Sequence, residues 1–230
     1  MRALLLAAGL GTRLLPLTKK IPKCLVPING RPLLGYWFDL LFEADIEKVL
    51  VNLHYLPEKV KTFIRESQYQ HRIKTVFENQ LLGTAGTLLA NKSFFQGQAV
   101  LLVHADNYSM FDVREFMAAH NDRPKGCEMT MMTFETDMPE NCGIVELDEK
   151  GIVQKFYEKV KHPPGNLANG AVYIVEPSVF SFLQDLGKTQ IDFSTQVLPH
   201  YLGRIFTFKN SQYHRDIGTL ESYQKAQGKL

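Results

Sequence analysis

The residues best suited to chemistry lie at the start of the chain. Arg2, Arg13, Lys19, Lys20, Lys23 and Arg31 fall within the first 38 residues, and no Asp or Glu does. Among them stands Gly9-Leu10-Gly11-Thr12-Arg13, directly after the apolar run Ala3-Leu4-Leu5-Leu6-Ala7-Ala8. Glycines let backbone N–H groups come close to phosphate oxygens, and fixed cations offset phosphate charge. The pattern is either a loop for a polyanion such as a nucleoside triphosphate or simply a tight turn that needs two glycines. It is not a dinucleotide fingerprint, because Leu14 stands where the third glycine belongs and no acid lies about 20 residues further on. It is not a Walker A loop either, since no Gly-Lys-Ser/Thr follows.

Lys23 follows Pro22, which stiffens the backbone, so its ammonium can be placed as a point charge on a phosphate, although taken by itself the plainer reading is a solvated surface lysine. Asp106 follows a strand expected at 99–103, and ligands of open α/β sheets lie beyond such carboxyl ends. A carboxylate there can hold Mg²⁺, an ion that takes oxygen ligands and phosphates; it can equally be a loop Asp satisfied by backbone N–H groups. Asp216-Ile217-Gly218-Thr219 is a second acidic position, with capping of a terminal helix by Asp216 or Thr219 as the plainer reading. Glu78 and the turn Gly83-Thr84-Ala85-Gly86 could contact a base or ribose, or simply open a helix. Glu158-Lys159 could hold a sugar and its phosphate, or form an exposed ion pair of little energetic worth. The seven histidines show no metal-ligand spacing, which argues against zinc.

Short apolar strands expected at 2–8, 49–51, 73–77 and 99–103 alternate with helices at 32–44, 57–67, 84–91 and 112–120. That rhythm predicts an open α/β sheet. Residues 9–31 read as one long basic loop, and a loop that long is usually functional. After Pro124 the rhythm changes to strands at 127–134, 142–147, 152–158 and 168–175, read as antiparallel additions. Helices at 178–186, 192–201 and 218–227 follow, with a strand at 204–208. No repeat or linker divides the 230 residues, so a single domain is expected. Its halves would be about 1–110 for a nucleotide and about 111–230 for its co-substrate.

The net charge of +2 speaks against a nucleic-acid surface. Three widely spaced cysteines suggest reduced thiols. No apolar run reaches the ~20 residues of a membrane helix, and no small-residue cleavage site follows the first apolar run. The expectation is a cytoplasmic protein without membrane association.

In this order, the motifs resemble those of the sugar-1-phosphate nucleotidyltransferases. The match comprises Leu5-Leu6-Ala7-Ala8-Gly9-Leu10-Gly11-Thr12-Arg13, Pro16-Leu17-Thr18, Pro22-Lys23, Leu82-Gly83-Thr84-Ala85-Gly86, Asp106-Asn107, Glu158-Lys159 and Asp216-Ile217-Gly218-Thr219. The resemblance implies a Rossmann-like three-layer α/β/α fold with a mixed central sheet, of the nucleotide-diphospho-sugar transferase type. It implies Arg13 and Lys23 as catalytic residues acting on phosphate, and Asp106 and Asp216 as ligands of Mg²⁺. Leu6, Ala8, Gly9, Gly11, Thr12, Glu78, Gly83 and Thr84 would bind the nucleotide. Asn107, Gly143, Glu158, Lys159 and Asn169 would bind the sugar phosphate. The turn at 82–86 looks most like that of mannose-1-phosphate guanylyltransferases, so GTP is favoured, with UTP or dTTP as alternatives. The sugar (hexose, amino sugar or heptose) and the oligomeric state stay open. A glycosyltransferase and a non-catalytic regulatory paralogue are the competing readings. Ala105, Val160, His214 and Leu220 depart from the usual Gly, Pro, Trp and Pro of the pattern. The C-terminal hexapeptide β-helix of many relatives is not expected, nor is an acetyltransferase activity.

Overall fold

A computed structural model describes residues 1–228. In chain order its strands and helices are β1 (Arg2–Leu6), β2 (Pro27–Ile28), β3 (Arg31–Pro32), α1 (Leu33–Glu43), β4 (Val49–Leu53), α2 (Pro57–Glu66), β5 (Ile73–Phe77) and α3 (Thr84–Ala90). There follow β6 (Val100–His104), β7 (Asn107–Met110), α4 (Val113–Asn121), β8 (Met129–Glu135), β9 (Gly143–Leu147), β10 (Val153–Glu158), β11 (Leu167–Val175), α5 (Val179–Asp185), β12 (Ile205–Lys209), β13 (Tyr213–Asp216) and α6 (Leu220–Ala226). They form two compact units. The first comprises Met1–Leu81, Val103–Asp112 and Gln212–Leu230; the second comprises Leu82–Leu102 and Val113–Ser211.

In the first unit, β1 pairs in parallel with β4, and β4 with β5. The run Ala3-Leu4-Leu5 is fully buried, as a strand covered on both faces must be. Helix α1 buries Leu33, Leu34, Trp37, Phe38, Leu41 and Phe42, a broad apolar stripe at helical spacing. Its Trp37 donates Nε1–H to the Asn107 carbonyl at 2.8 Å, tying the helix to β7. The segment expected as one long basic loop at 9–31 is built of short elements. It holds three 3₁₀ turns (Thr12–Leu14, Leu17–Lys19, Lys23–Leu25) and the short β2–β3 hairpin. Leu14, Lys23, Cys24 and Ile28 are buried, so this segment has its own packed interior.

Two short strands absent from the sequence reading complete the unit. β7 and β13 pair antiparallel, with Asp216 opposite Asn107. Both are four residues long and polar, Asn-Tyr-Ser-Met and Tyr-His-Arg-Asp, so neither shows a clear apolar alternation.

In the second unit, β11 pairs antiparallel with β8 and β10 with β9, while β12 runs parallel to β8. A register break in β11 lies between Asn169 and Tyr173, where Ala171 adopts φ of 52°. The helix expected at 192–201 is a correction. Residues Phe193–Val197 form a π turn and Leu198–Tyr201 a 3₁₀ turn. Pro199 supplies no N–H and its ring crowds the preceding turn, so a regular α-helix cannot run through it. Among the described residues no helix is long and apolar enough to cross a membrane.

Candidate active site

The charged residues singled out at the two ends of the chain and at Asp106 meet inside the first unit. Lys23 Nζ lies 2.6 Å from Asp106 Oδ2 and 3.1 Å from Asp216 Oδ1. Its side chain is only 7% exposed, so the ammonium is spent on these two partners rather than on water. Arg13 Nη2 stands 3.8 Å from the other oxygen of Asp216, on a largely exposed side chain.

Local structure explains each position. Gly11 sits at φ of 66°, and a Cβ there would fall 2.8 Å from Thr18 Cγ2, so both conformation and space require glycine. Thr18 Oγ1 donates to the Gly11 carbonyl at 2.7 Å, and Tyr55 Oη donates to the Thr18 carbonyl at 3.0 Å. The Gly9–Arg13 turn is thereby anchored while Gly9, Thr12 and Arg13 stay exposed. Asp106 follows β6, and Asp216 ends β13. The β7–β13 pairing and the Ile217 N–H donated to the Asp106 carbonyl at 3.1 Å bring the two aspartates side by side. Gly218 keeps the space clear, because a Cβ there would sit 2.5 Å from Asp216 Oδ2 and 3.0 Å from Arg13 Nη2.

Electrostatics follow from this packing. Burial by itself lowers the Lys23 pKa, but Asp106 and Asp216 outweigh it and hold the ammonium above its ordinary range. Burial likewise pushes the Asp106 pKa up, and Lys23 overrides it, so the carboxyl stays below its usual value. The neighbouring Cys24 thiol is pushed up to about 12 by burial and is inert as a nucleophile at neutral pH.

A buried polar relay, missed in the sequence, supports the end of β1. Asn52 Oδ1 accepts from the Ala7 N–H at 2.7 Å, and Asn52 Nδ2 donates to Glu78 Oε1 at 2.9 Å. His54 Nδ1 lies 2.8 Å from the Glu78 carbonyl. The available signal was Asn52 itself, a polar residue in the apolar strand Val49-Leu50-Val51-Asn52-Leu53. Leu6 is half-buried and Ala8 buried, next to this relay in the chain. Glu78, which the resemblance places among the nucleotide-binding residues, is a buried member of the same relay.

The remaining candidates lie in the second unit, except Asn107, which is buried in the first. The turn at Gly83 is sewn to the segment 189–193. Ala85 and Gly86 N–H groups both donate to the Ile191 carbonyl, at 3.0 and 3.1 Å, and Ile191 N–H donates to the Leu82 carbonyl at 2.9 Å. Thr84 Oγ1 accepts the Phe193 N–H at 2.7 Å. On β9 and β10, Gly143 pairs opposite Glu158. A Cβ at Gly143 would lie 2.6 Å from the Phe156 ring and 2.9 Å from Glu158 Oε2, so the glycine makes room for that carboxylate. Lys159, at φ of 49°, places Nζ 3.4 Å from Glu158 Oε1. Asn169 Nδ2 donates to Tyr173 Oη at 2.7 Å, and its Oδ1 accepts the Ala171 N–H at 2.9 Å.

The fold is that of the α/β nucleotide-diphospho-sugar transferases, a mixed central sheet with flanking helices. It superposes on a Bacillus anthracis structure solved with sucrose at a TM-score of 0.88, with 23% identity over 98% of this chain and 93% of that one. It matches HddC from Yersinia pseudotuberculosis, also solved complexed with GMP-PN, at a TM-score of 0.82 and 25% identity, covering 98% of this chain and 97% of that one. The family described as Nucleotidyl transferase matches residues 2–230, and the chain belongs to it. Arabidopsis thaliana mannose-1-phosphate guanylyltransferase 1 is 32% identical over 201 residues, 85% of this chain and 55% of that protein. The chain spans little more than half the length of such curated relatives, 54% of a putative mannose-1-phosphate guanyltransferase from Sulfolobus acidocaldarius.

Nucleotidyltransferases of this family generally use a divalent metal. The residues present fit one. Asp106 and Asp216 already converge on a single cationic centre, and paired carboxylates are the hard oxygen donors such an ion takes. Among the described residues, no three His, Cys, Asp or Glu side chains gather as a metal-holding group. The pair would therefore leave most of an ion's coordination to water and phosphate.

Proposed function

We propose that the chain transfers a nucleoside monophosphate from a nucleoside triphosphate to a sugar 1-phosphate, giving a nucleoside-diphosphate sugar and pyrophosphate. GTP and mannose 1-phosphate are the favoured pair. The observation that carries the reading is the cluster of Arg13, Lys23, Asp106 and Asp216 beside the glycine turn, in a chain of the nucleotidyl transferase family. The names of the curated relatives and the neighbour solved with GMP-PN support a guanine nucleotide.

In this reading a phosphate oxygen of the sugar 1-phosphate attacks the α-phosphorus, and the bond to the β-phosphate bridging oxygen breaks. The attacking monoester has a second pKa of about 6, so it arrives ionised and needs no general base. The obstacle is charge: two anions must approach, and pyrophosphate must leave. Arg13, Lys23 and the N–H groups around Gly9 to Thr12 orient the triphosphate and stabilise charge that grows during transfer. Asp106 and Asp216 would hold Mg²⁺, which when bound neutralises phosphate oxygens. Leu6, Ala8, Glu78, Gly83 and Thr84 take the nucleoside; Asn107, Gly143, Glu158, Lys159 and Asn169 take the sugar phosphate.

The test is a pyrophosphate-release screen with Mg²⁺, pairing GTP, UTP, dTTP, ATP and CTP with mannose 1-phosphate and with other hexose, amino-sugar and heptose 1-phosphates. Release from GTP with mannose 1-phosphate is expected. Lys23→Ala should lower it by about 100-fold or more, with the far-UV circular dichroism retained. No pyrophosphate from any pair, or sugar transfer from a finished nucleotide sugar instead, overturns the proposal.

A further inference from the structure

The two aspartates assigned to a metal are not waiting with open charge. Lys23 Nζ stands between them at 2.6 and 3.1 Å, and Arg13 covers the second oxygen of Asp216 at 3.8 Å. Two cations face two anions, so the cluster is neutral in the chain by itself. Gly218 permits this closeness, because any side chain there would meet both Asp216 and Arg13.

We propose that Lys23 and Arg13 are internal counter-ions that suppress divalent-cation binding until phosphate draws them off. This inference rests on the reading of Asp106 and Asp216 as metal ligands. A divalent cation alone must part Lys23 from its carboxylates and leave a nearly buried ammonium beside a double positive charge. A triphosphate alone meets cations already committed, and two carboxylates that repel it. When both arrive, the partners exchange. The carboxylates keep a cation, and the ammonium and guanidinium gain phosphate oxygens. Each ligand thus removes the cost the other would meet, and such coupling is reciprocal. Metal would be held in step with nucleotide rather than stored between turnovers.

The experiment titrates Mn²⁺ into the protein without nucleotide and reads the free ion by electron paramagnetic resonance. The expected result is at least tenfold tighter Mn²⁺ binding in Lys23→Met than in the unaltered chain. Arg13→Gln, at an exposed position where folding is safe, should tighten binding by a smaller factor. Circular dichroism checks both variants, and Arg13→Gln carries the test if Lys23→Met does not fold. Equal or weaker Mn²⁺ binding in the folded variants overturns the inference. The double replacement Asp106→Asn, Asp216→Asn, added to Lys23→Met, separates the two claims. If it leaves Mn²⁺ binding unchanged, the metal assignment fails and the inference falls with it. If it abolishes binding while the cation variants bind no tighter, only the counter-ion role fails.

Discussion

His214 shows how one residue can report on the ribbon that carries an aspartate. It lies on β13, 9% exposed, with Nδ1 3.1 Å from Ser109 Oγ on β7. Burial pushes its pKa down to about 3, against the opposing pull of Asp106, with Arg215 adding to the fall. A histidine whose folded pKa is depressed binds its proton more readily when unfolded. Its cost is absent above the unfolded value of about 6.5 and grows as pH falls from there towards 3. Between pH 6.5 and 5, above the range of ordinary carboxylates, the slope from this one group approaches ~1.4 kcal/mol per pH unit. His214→Gln keeps a hydrogen-bonding side chain and should remove that slope. Urea midpoints at pH 7.5 and 5 measure it, with the comparison made between variant and unaltered chain, because His120 is also depressed by burial and adds a slope of the same sign. An unchanged pH dependence in the variant would show that His214 is solvated. The sequence marked position 214 as a departure from tryptophan, but not that the imidazole would be buried. Lys23 is the same kind of case. Its proline and its apolar neighbours were legible, whereas its inward turn depends on Asp106 and Asp216, far away in the chain.

Elements were legible where their periodicity was strong. The apolar run of β1, the stripe of α1 and the succession of strands β8 to β11 all declare themselves. The β7–β13 ribbon does not, because its stability comes from partners rather than from its own pattern, and the side-by-side placement of Asp106 and Asp216 depends on it. The glycine turn before α3 is a mixed case. Its residues were read as a contact for a base or ribose, or as a helix start, and not as a close approach of backbone. In the second unit the backbone at 189–191 packs against this turn. A Cβ on Gly86 would fall 2.5 Å from the Thr189 carbonyl oxygen and 3.2 Å from the Ile191 nitrogen, both backbone atoms that cannot swing aside. Gly86→Ala should therefore destabilise the protein by about 1–3 kcal/mol, the usual range for overpacking, despite alanine's better helix propensity. Urea denaturation decides it. Stability equal to or above that of the unaltered chain would mean that the contact is not as close as the fold places it.

At the scale of the whole molecule, the first unit is closed by the last segment of the chain. Spacing along the sequence carries no record of that return, because contacts between distant residues are set by packing. Ile217 and Ala226 are buried in one cluster with Leu14, Val26, Ile28, Leu33 and Tyr108, and Tyr213 and Tyr223 pack against it. Tyr223 Oη donates to the Pro27 carbonyl at 3.0 Å, and Gln227 Oε1 accepts the Asn29 N–H at 2.9 Å. The segment that supplies Asp216 thus also secures the loop that supplies Lys23. Each large apolar side chain buried contributes about 1.5–3 kcal/mol, so losing the segment removes on the order of 5 kcal/mol, comparable with the net stability of a whole domain. Truncation after Ser211 should unfold the first unit. Trp37, the single tryptophan, is buried there on α1 and reports that unit alone. Its emission should shift to the red in the truncated chain, while the strands of the second unit keep part of the far-UV circular dichroism. Emission that stays blue, with an unchanged urea midpoint, would show that the loop of Lys23 holds its shape without the segment that carries Asp216.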